Sequence, residues 1–169
     1  MRIYTLGTSN RKDYEFTKLL SKYNIQVIFD VRRFPVSQFP HFSRENLQKL
    51  GMSQKAEYIY LGNDLGGYRD GGYKEYIQSE EFKRGVNIIR NTAEKRVSCI
   101  LCAERFPMHC HRRFISDELA KAGFEVIHII DENATQKPED IRETRKDRPR
   151  RFNSRFRRGE RKSGPRKNF

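Results

Sequence analysis

Five short apolar runs, set between amphipathic stretches, constrain this chain more than anything else in its sequence. They cover residues 2–6, 26–32, 57–61, 97–103 and 125–130, and each is rich in Ile, Val, Leu, Tyr or Cys. Their apolar residues are nearly continuous rather than alternating, which is the pattern of strands covered on both faces. The intervening segments carry helical spacing. Asp13 is placed to cap a helix whose apolar face is Phe16, Leu19, Leu20 and Tyr23, closed by Asn24. Ser43, with Asn46 and Leu47, starts a second helix that runs to about Met52. Residues 73–95 form a third, with Tyr76, Ile77, Phe82, Val86, Ile88 and Ile89 for its buried face. Gly85 within it marks a packing contact or a join between two helices. Residues 110–122 form a fourth, carrying Phe114, Ile115 and Leu119 and ended by Gly123.

Strands alternating with helices predict an α/β fold. The expectation is a single three-layer domain over residues 1–135, with a mostly parallel sheet of about five strands. Ligands of such sheets sit outside the carboxyl ends of the strands. Here those ends are Gly7-Thr8-Ser9-Asn10, Asp30-Val31-Arg32-Arg33, the glycine-rich turn at 62–67, Cys102-Ala103-Glu104-Arg105 and Asp131-Glu132. The unusual polar residues and glycines gather at these five places, so a pocket on this rim is expected.

The fourth strand end is the densest in chemistry. Cys99 and Cys102 have the spacing of a thiol motif, but residues three apart on a strand face opposite sides. Cys99 is therefore expected to be a buried small hydrophobe, while Cys102 ends the strand. Cys110 lies near the start of the following helix. Free N–H groups there, with Arg112 or Arg113, favour a thiolate at Cys110. Cys102, His109, Cys110 and His111 include zinc-type donors, but their spacing matches no familiar structural site. No cofactor is expected, with zinc at these four residues kept as the lesser alternative.

Asp30 and Glu104 stand at two strand ends and are the candidate general acid and base. The equally weighted alternative gives them structural ion pairs with Arg32 and Arg105. Arg32 and Arg112 would hold an anionic group. Ser9, Asn10 and His111 fall on the same rim. The turn with Gly66 and Gly67 allows close backbone approach, but no Lys-Ser/Thr follows it as in a P-loop.

Charge separates the end of the chain from the rest. The net charge is +13, and residues 136–169, with 14 basic and 5 acidic side chains, carry most of it. The stretch beyond residue 141 has too little apolar surface to fold alone, so 136–169 is expected to be a disordered tail. In it Arg148, Arg150, Arg151, Arg155, Arg157, Arg158, Arg161 and Lys162 are interleaved with Phe152 and Phe156. Arginines bind phosphate and aromatics stack on unpaired bases, which points to nucleic acid, RNA before DNA. A solubilising tail or an acidic protein partner is the plainer alternative. No run approaches the ~18 apolar residues of a membrane span. Met1-Arg2-Ile3 leads straight into a strand, so no signal peptide is expected. Three cysteines, an odd number, make no disulfide framework, so reduced thiols and a cytoplasmic location are expected.

These motifs resemble a known family. Gly7-Thr8-Ser9-Asn10, Asp30-Val31-Arg32 with Pro35 and Ser37, Leu65-Gly66-Gly67, and Leu101-Cys102-Ala103-Glu104 followed by Cys110-His111-Arg112 are similar to the signature of the family named domain of unknown function 488. The resemblance covers about residues 1–131. It implies a compact α/β domain and a shared site at these positions, Ser37 among them, and it names no activity. Members often carry His where this chain has Thr8, so no proton shuttle is carried over to that position.

Three functions follow as expectations. The first is a cytoplasmic enzyme acting on a nucleotide or nucleic-acid substrate at the rim, with the tail binding RNA or DNA. Asp30 or Glu104 would be its acid/base, and Cys110 or Cys102 its nucleophile. The second is a noncatalytic nucleic-acid-binding protein. The third is thiol, sulfur-transfer or redox chemistry at Cys102 or Cys110, although neither cysteine begins a Cys-x4-Arg cradle.

Overall fold

The computed structural model describes residues 1–35 and 39–141. Six strands form one sheet in the order β3-β2-β4-β1-β5-β6. They are β1 (Arg2–Gly7), β2 (Val27–Asp30), β3 (Glu57–Tyr60), β4 (Ser98–Cys102), β5 (Glu125–Ile129) and β6 (Thr135–Gln136). The first five pair in parallel, and the two-residue β6 runs antiparallel along β5. The α/β, mostly parallel architecture agrees with the sequence. The sixth strand was not foreseen, because two residues, Thr135 and Gln136, carry no periodicity.

Two apolar clusters sandwich the sheet. One joins Ile3, Phe29, Ile100, Cys102 and Val126 to Phe82, Val86 and Ile89 of α5 (Glu80–Ala93) and Ile115 and Leu119 of α6 (Arg112–Lys121). The other joins Tyr4, Leu6, Ile28, Cys99 and Leu101 to Phe16, Leu19 and Leu20 of α1 (Asp13–Lys22) and Leu47 of α2 (Arg44–Ser53). The alternation along β4 is as expected: Cys99 and Cys102 fall on opposite faces.

Helix boundaries follow their capping chemistry. Ser43 caps α2 by accepting the Asn46 amide hydrogen, a contact worth about 1 kcal/mol. Lys12, not Asp13, occupies the N-cap of α1, and its amide donates to Glu15 at 2.7 Å. The long helix expected over 73–95 is interrupted. Ser79 caps α5 on the Phe82 amide and separates it from a single turn at Tyr73–Tyr76, here α4. Ile88, counted toward its buried face, is exposed. The glycine-rich segment after β3 is not an open turn. It begins with a helical turn, α3 (Gly62–Leu65). Gly85 is a packing contact, since a Cβ there would come within 2.6 Å of Leu65 Cγ. The fourth helix starts later than expected, at Arg112, after a 3-10 turn at Pro107–His109.

The connections explain where an opening forms. β1 and β2 lead to α1 and α2 on one face, while β4, lying between them, leads to α6 on the other. Chains that diverge from neighbouring strand ends leave a crevice there. No helix among the described residues is long and apolar enough to cross a membrane.

Candidate active site

A cavity of about 570 Å³ occupies that crevice. Thr8 enters it from the end of β1, Arg32, Arg33 and Phe34 from beyond β2, and Cys102, Ala103 and Glu104 from β4. Gly67, Tyr68, Arg69 and Tyr73 form the wall beyond α3, and His109, Cys110 and His111 close it before α6. Backbone bonds fix this junction. Thr8 N–H donates to Cys102 O at 2.8 Å and Ser9 N–H to Ala103 O at 2.7 Å, extending the β1–β4 pairing past the sheet. Gly7 makes this possible, because a Cβ would lie 2.0 Å from the Glu104 carbonyl oxygen.

Cys102 Sγ, Cys110 Sγ and a nitrogen of His111 lie within 4.8 Å of one another. Each sulfur is 3.9 Å from His111 Nδ1. The other ring nitrogen, Nε2, is 2.9 Å from the Val31 carbonyl oxygen, which can only accept. The proton therefore sits on Nε2 in the neutral ring, and the Nδ1 lone pair faces the thiols. The Tyr73 ring packs 5.2 Å from the imidazole and donates its hydroxyl hydrogen to Leu65 O. Gly67 lies over the face of the ring at Nδ1, where a Cβ would be 3.0 Å away.

The two thiols differ sharply. The hydrogen bond from Cys110 holds the Cys102 thiol well below its usual range, helped by His111 and Arg112 against the effect of burial. Burial, reinforced by the Cys102 neighbour, pushes Cys110 well above it. This reverses the sequence expectation, which gave the lowered thiol to Cys110. Cys110 precedes the N-cap His111 of α6 and is buried, so helix-start electrostatics do not govern it. Cys99 is fully buried on the other face and is pushed up to about 12. All three cysteines are free.

Arg112 is fully buried behind the thiols. Its amide donates to Cys110 Sγ at 3.4 Å and its Nη2 to Arg105 O at 2.7 Å, while Nε and Nη1 have no hydrogen-bond partner among the described residues. A buried guanidinium in this position supplies positive charge to the thiols rather than a hand to a substrate.

Asp30 and Arg32 are built differently from what their position suggested. Asp30 is fully buried on the α1/α2 side of the sheet and does not line the cavity. Its carboxylate accepts from Arg32 Nε and Nη2 at 2.9 and 2.6 Å, from the Arg32 amide, and from Tyr58 Oη at 2.7 Å. Arg32 Nη1 donates to Phe42 O. This is the structural ion pair that the sequence held as the alternative for Asp30, and it occupies the Arg32 guanidinium as well. Glu104 is different. Its carboxylate is exposed, and it alone among the described cavity-lining residues is acidic.

Of the other rim candidates, Gly67 and His111 line the cavity. Gly66 packs beside Arg33, where a Cβ would be 2.7 Å from its Cα. Ser9 and Asn10 lie off the cavity, next to Arg105, whose Nη2 donates to Asn10 Oδ1 at 3.4 Å. Ser9 takes a φ of 47°, costly for a serine and set by the tight turn after β1. Ser37 and the tail set from Arg148 to Lys162 lie outside the described residues.

Several lining residues were not among the site candidates, although Arg33 belonged to a strand end already placed on the rim. Arg33 and Arg69 place positive charge on the wall, and Phe34 and Tyr68 are exposed aromatics at its mouth, Tyr68 at φ 58°. Arg69 is held by Gly66 O and Asn63 O and by the Tyr76 ring 4.0 Å away. Each follows directly on a motif that was read, Asp30-Val31-Arg32 or Gly66-Gly67, and the next residues of each loop were the available signal. Arg11 was also missed. It is buried, binds Gly7 O and Ile130 O, and locks the β1 loop to β5. Burial lowers its guanidinium to about 10.

The model of a family described as domain of unknown function DUF488 matches residues 12–119. No curated protein and no solved structure matches the chain.

Proposed function

This chain belongs to the DUF488 family, whose description names no activity, and from that premise we propose that it is an enzyme acting on a nucleotide or a nucleic-acid end. The observation that carries this reading is the cavity itself. Its floor is the Cys102–Cys110–His111 cluster with Glu104 beside it, its wall carries Arg33 and Arg69, and Phe34 and Tyr68 stand exposed at the mouth. Guanidiniums suit a phosphate and exposed rings suit a base. A volume near 570 Å³ is within the range of small-molecule sites. In this reading Glu104 is the general acid/base and the cysteine–histidine floor meets the reacting atom. Asp30 and Arg32 position the β2 loop. The chain works in the cytoplasm, and the basic residues of 136–169 recruit RNA by charge.

The test is titration of ribonucleoside 5′-monophosphates into the full chain, followed by NMR and by mass analysis of products. Binding in the cavity, weakened about tenfold in Tyr68→Ala or Phe34→Ala, and turnover abolished in Glu104→Gln are the expected results. A full panel without binding, or ring variants that bind as the parent does, overturns the proposal.

A further inference from the structure

We propose that Cys102 Sγ, Cys110 Sγ and His111 Nδ1 hold one zinc ion at the floor of the cavity, with its fourth position open to the substrate side. The distances fit. Tetrahedral zinc, with Zn–S of about 2.3 Å and Zn–N of about 2.0–2.1 Å, sets sulfur and nitrogen about 3.6 Å apart and two sulfurs about 3.8 Å apart. Here each sulfur is 3.9 Å from Nδ1, and all three donors lie within 4.8 Å of one another. Closing the site takes a few tenths of an ångström at each sulfur–nitrogen distance and at most about 1 Å between the two sulfurs.

The surroundings are those of metal ligands. His111 Nε2–H donates to Val31 O at 2.9 Å, the second hydrogen bond that fixes the tautomer of a ligating histidine. The Arg112 amide donates to Cys110 Sγ at 3.4 Å, as backbone amides do to ligating sulfur. Nδ1 stands equally far from both thiols, whereas a general base serving one nucleophile would lie closer to that one. A disulfide pair needs no third donor. Gly67 leaves room for the ring, since a Cβ there would press on its face at Nδ1. The donors come from a strand end and a helix start, which are rigid supports. The chain spacing hid this, because the loop between Cys102 and Cys110 folds back through the 3-10 turn. His109 faces the cavity but stands outside the cluster.

Three protein ligands and one open position are the arrangement of catalytic zinc. Zinc held there would supply Lewis-acid activation of a water, and Glu104, which lines the same cavity, would be the group to accept its proton. This role in turnover rests on the enzyme reading above, whereas binding of the ion does not.

The experiment is a titration of the reduced, chelator-treated full chain with Co²⁺ and then Zn²⁺. One Co²⁺ per chain is expected, with the visible bands of tetrahedral cobalt and a thiolate charge-transfer band, displaced by Zn²⁺. Cys102→Ser and Cys110→Ser should each weaken zinc binding by roughly 100-fold or more, with folding checked by circular dichroism. Cys99→Ser, a thiol on the opposite face, should bind as the parent does. Absence of the cobalt spectrum, or unchanged binding in both cysteine variants, overturns the site. So does a Cys102–Cys110 disulfide that forms readily in a chain without metal affinity. Mononucleotide titration of the same samples separates the two proposals. Nucleotide binding without metal affinity removes the zinc site alone, and metal affinity without nucleotide binding or turnover removes the enzyme reading alone.

Discussion

His111 Nε2 and the Val31 carbonyl oxygen, 2.9 Å apart, tie the start of α6 to the end of β2 across the neighbouring strand. One hydrogen bond thus orients the imidazole whose other nitrogen meets Cys102 and Cys110. Gly67 lies over the face of that ring at Nδ1. Its φ is not in the left-handed region, so alanine suits its backbone. Gly67→Ala should therefore leave global stability within about 1 kcal/mol of the parent. Its Cβ, 3.0 Å from Nδ1, should nonetheless displace the ring and lower Co²⁺ or Zn²⁺ affinity about tenfold, within the range for disturbed metal surroundings. Urea titration and metal titration of one preparation measure both effects. Parallel losses in the two would show a general packing defect instead.

Asp30 and Arg32 form a buried pair whose partners are all within the protein. Removing one member of such a pair leaves an uncompensated charge, which typically costs about 3–5 kcal/mol. Asp30→Ala should lose that much in urea unfolding. Tyr58→Phe removes one hydrogen bond to a carboxylate and should lose about 1.5–3 kcal/mol. An Asp30 that served as acid or base would behave differently: its variant would stay stable and lose turnover.

How much of this site could be read beforehand depended on whether the signal was local. Alternation along β4 separated Cys99 from Cys102 without a structure, because the period of a strand is fixed. The rim position of Glu104 and the thiols followed from strand direction alone. Whether Asp30 pointed into the cavity could not be decided that way. Its face was predictable in principle, since it shares the parity of Ile28, but the loop holding Phe42 that seals it, ten residues after Arg32, carries no periodic pattern from which its path could be read. The convergence of Cys110 and His111, adjacent in sequence, on Cys102 depended on the backbone turn at Pro107–His109. Spacing rules drawn from regular motifs do not describe such a turn. The split at Ser79 was legible as a cap and was overridden by the longer helical periodicity around it.

His128 offers a pH-dependent check on the core beside the site. Its Nδ1 is 2.8 Å from Thr5 Oγ1, and its Nε2 is buried with no hydrogen-bond partner among the described residues. Burial, with the Arg112 charge nearby and Asp140 opposing, lowers it from 6.5 to about 3. The unfolded chain binds this proton below pH 6.5 and the folded chain does not until about pH 3. Stability from this group is thus fully present above about pH 6.5 and is lost progressively as the pH falls toward 3. The full effect is on the order of 5 kcal/mol. His128→Gln should flatten the stability–pH curve by one proton over this window relative to the parent. Identical slopes in the two proteins would mean that His128 is charged in the folded state.

Residues 142–169 hold thirteen basic and three acidic side chains, and their deletion separates charge-driven RNA binding from chemistry in the cavity. The cut belongs after Ile141 rather than before Gln136, because β6 pairs with β5 and Ile141 is buried. A tail that engages about six phosphates of a single strand gives a log–log salt slope near −4, a loss of about 300-fold between 50 and 200 mM salt. The full chain should show this steep dependence with a mixed-sequence single-stranded RNA, measured by fluorescence anisotropy. The truncated chain should bind that RNA weakly and with a shallow slope, while its affinities for mononucleotides and for Zn²⁺ stay those of the parent. RNA affinity that survives truncation would move the nucleic-acid surface onto the folded body, where Arg33, Arg69, Phe34 and Tyr68 are the side chains to substitute next.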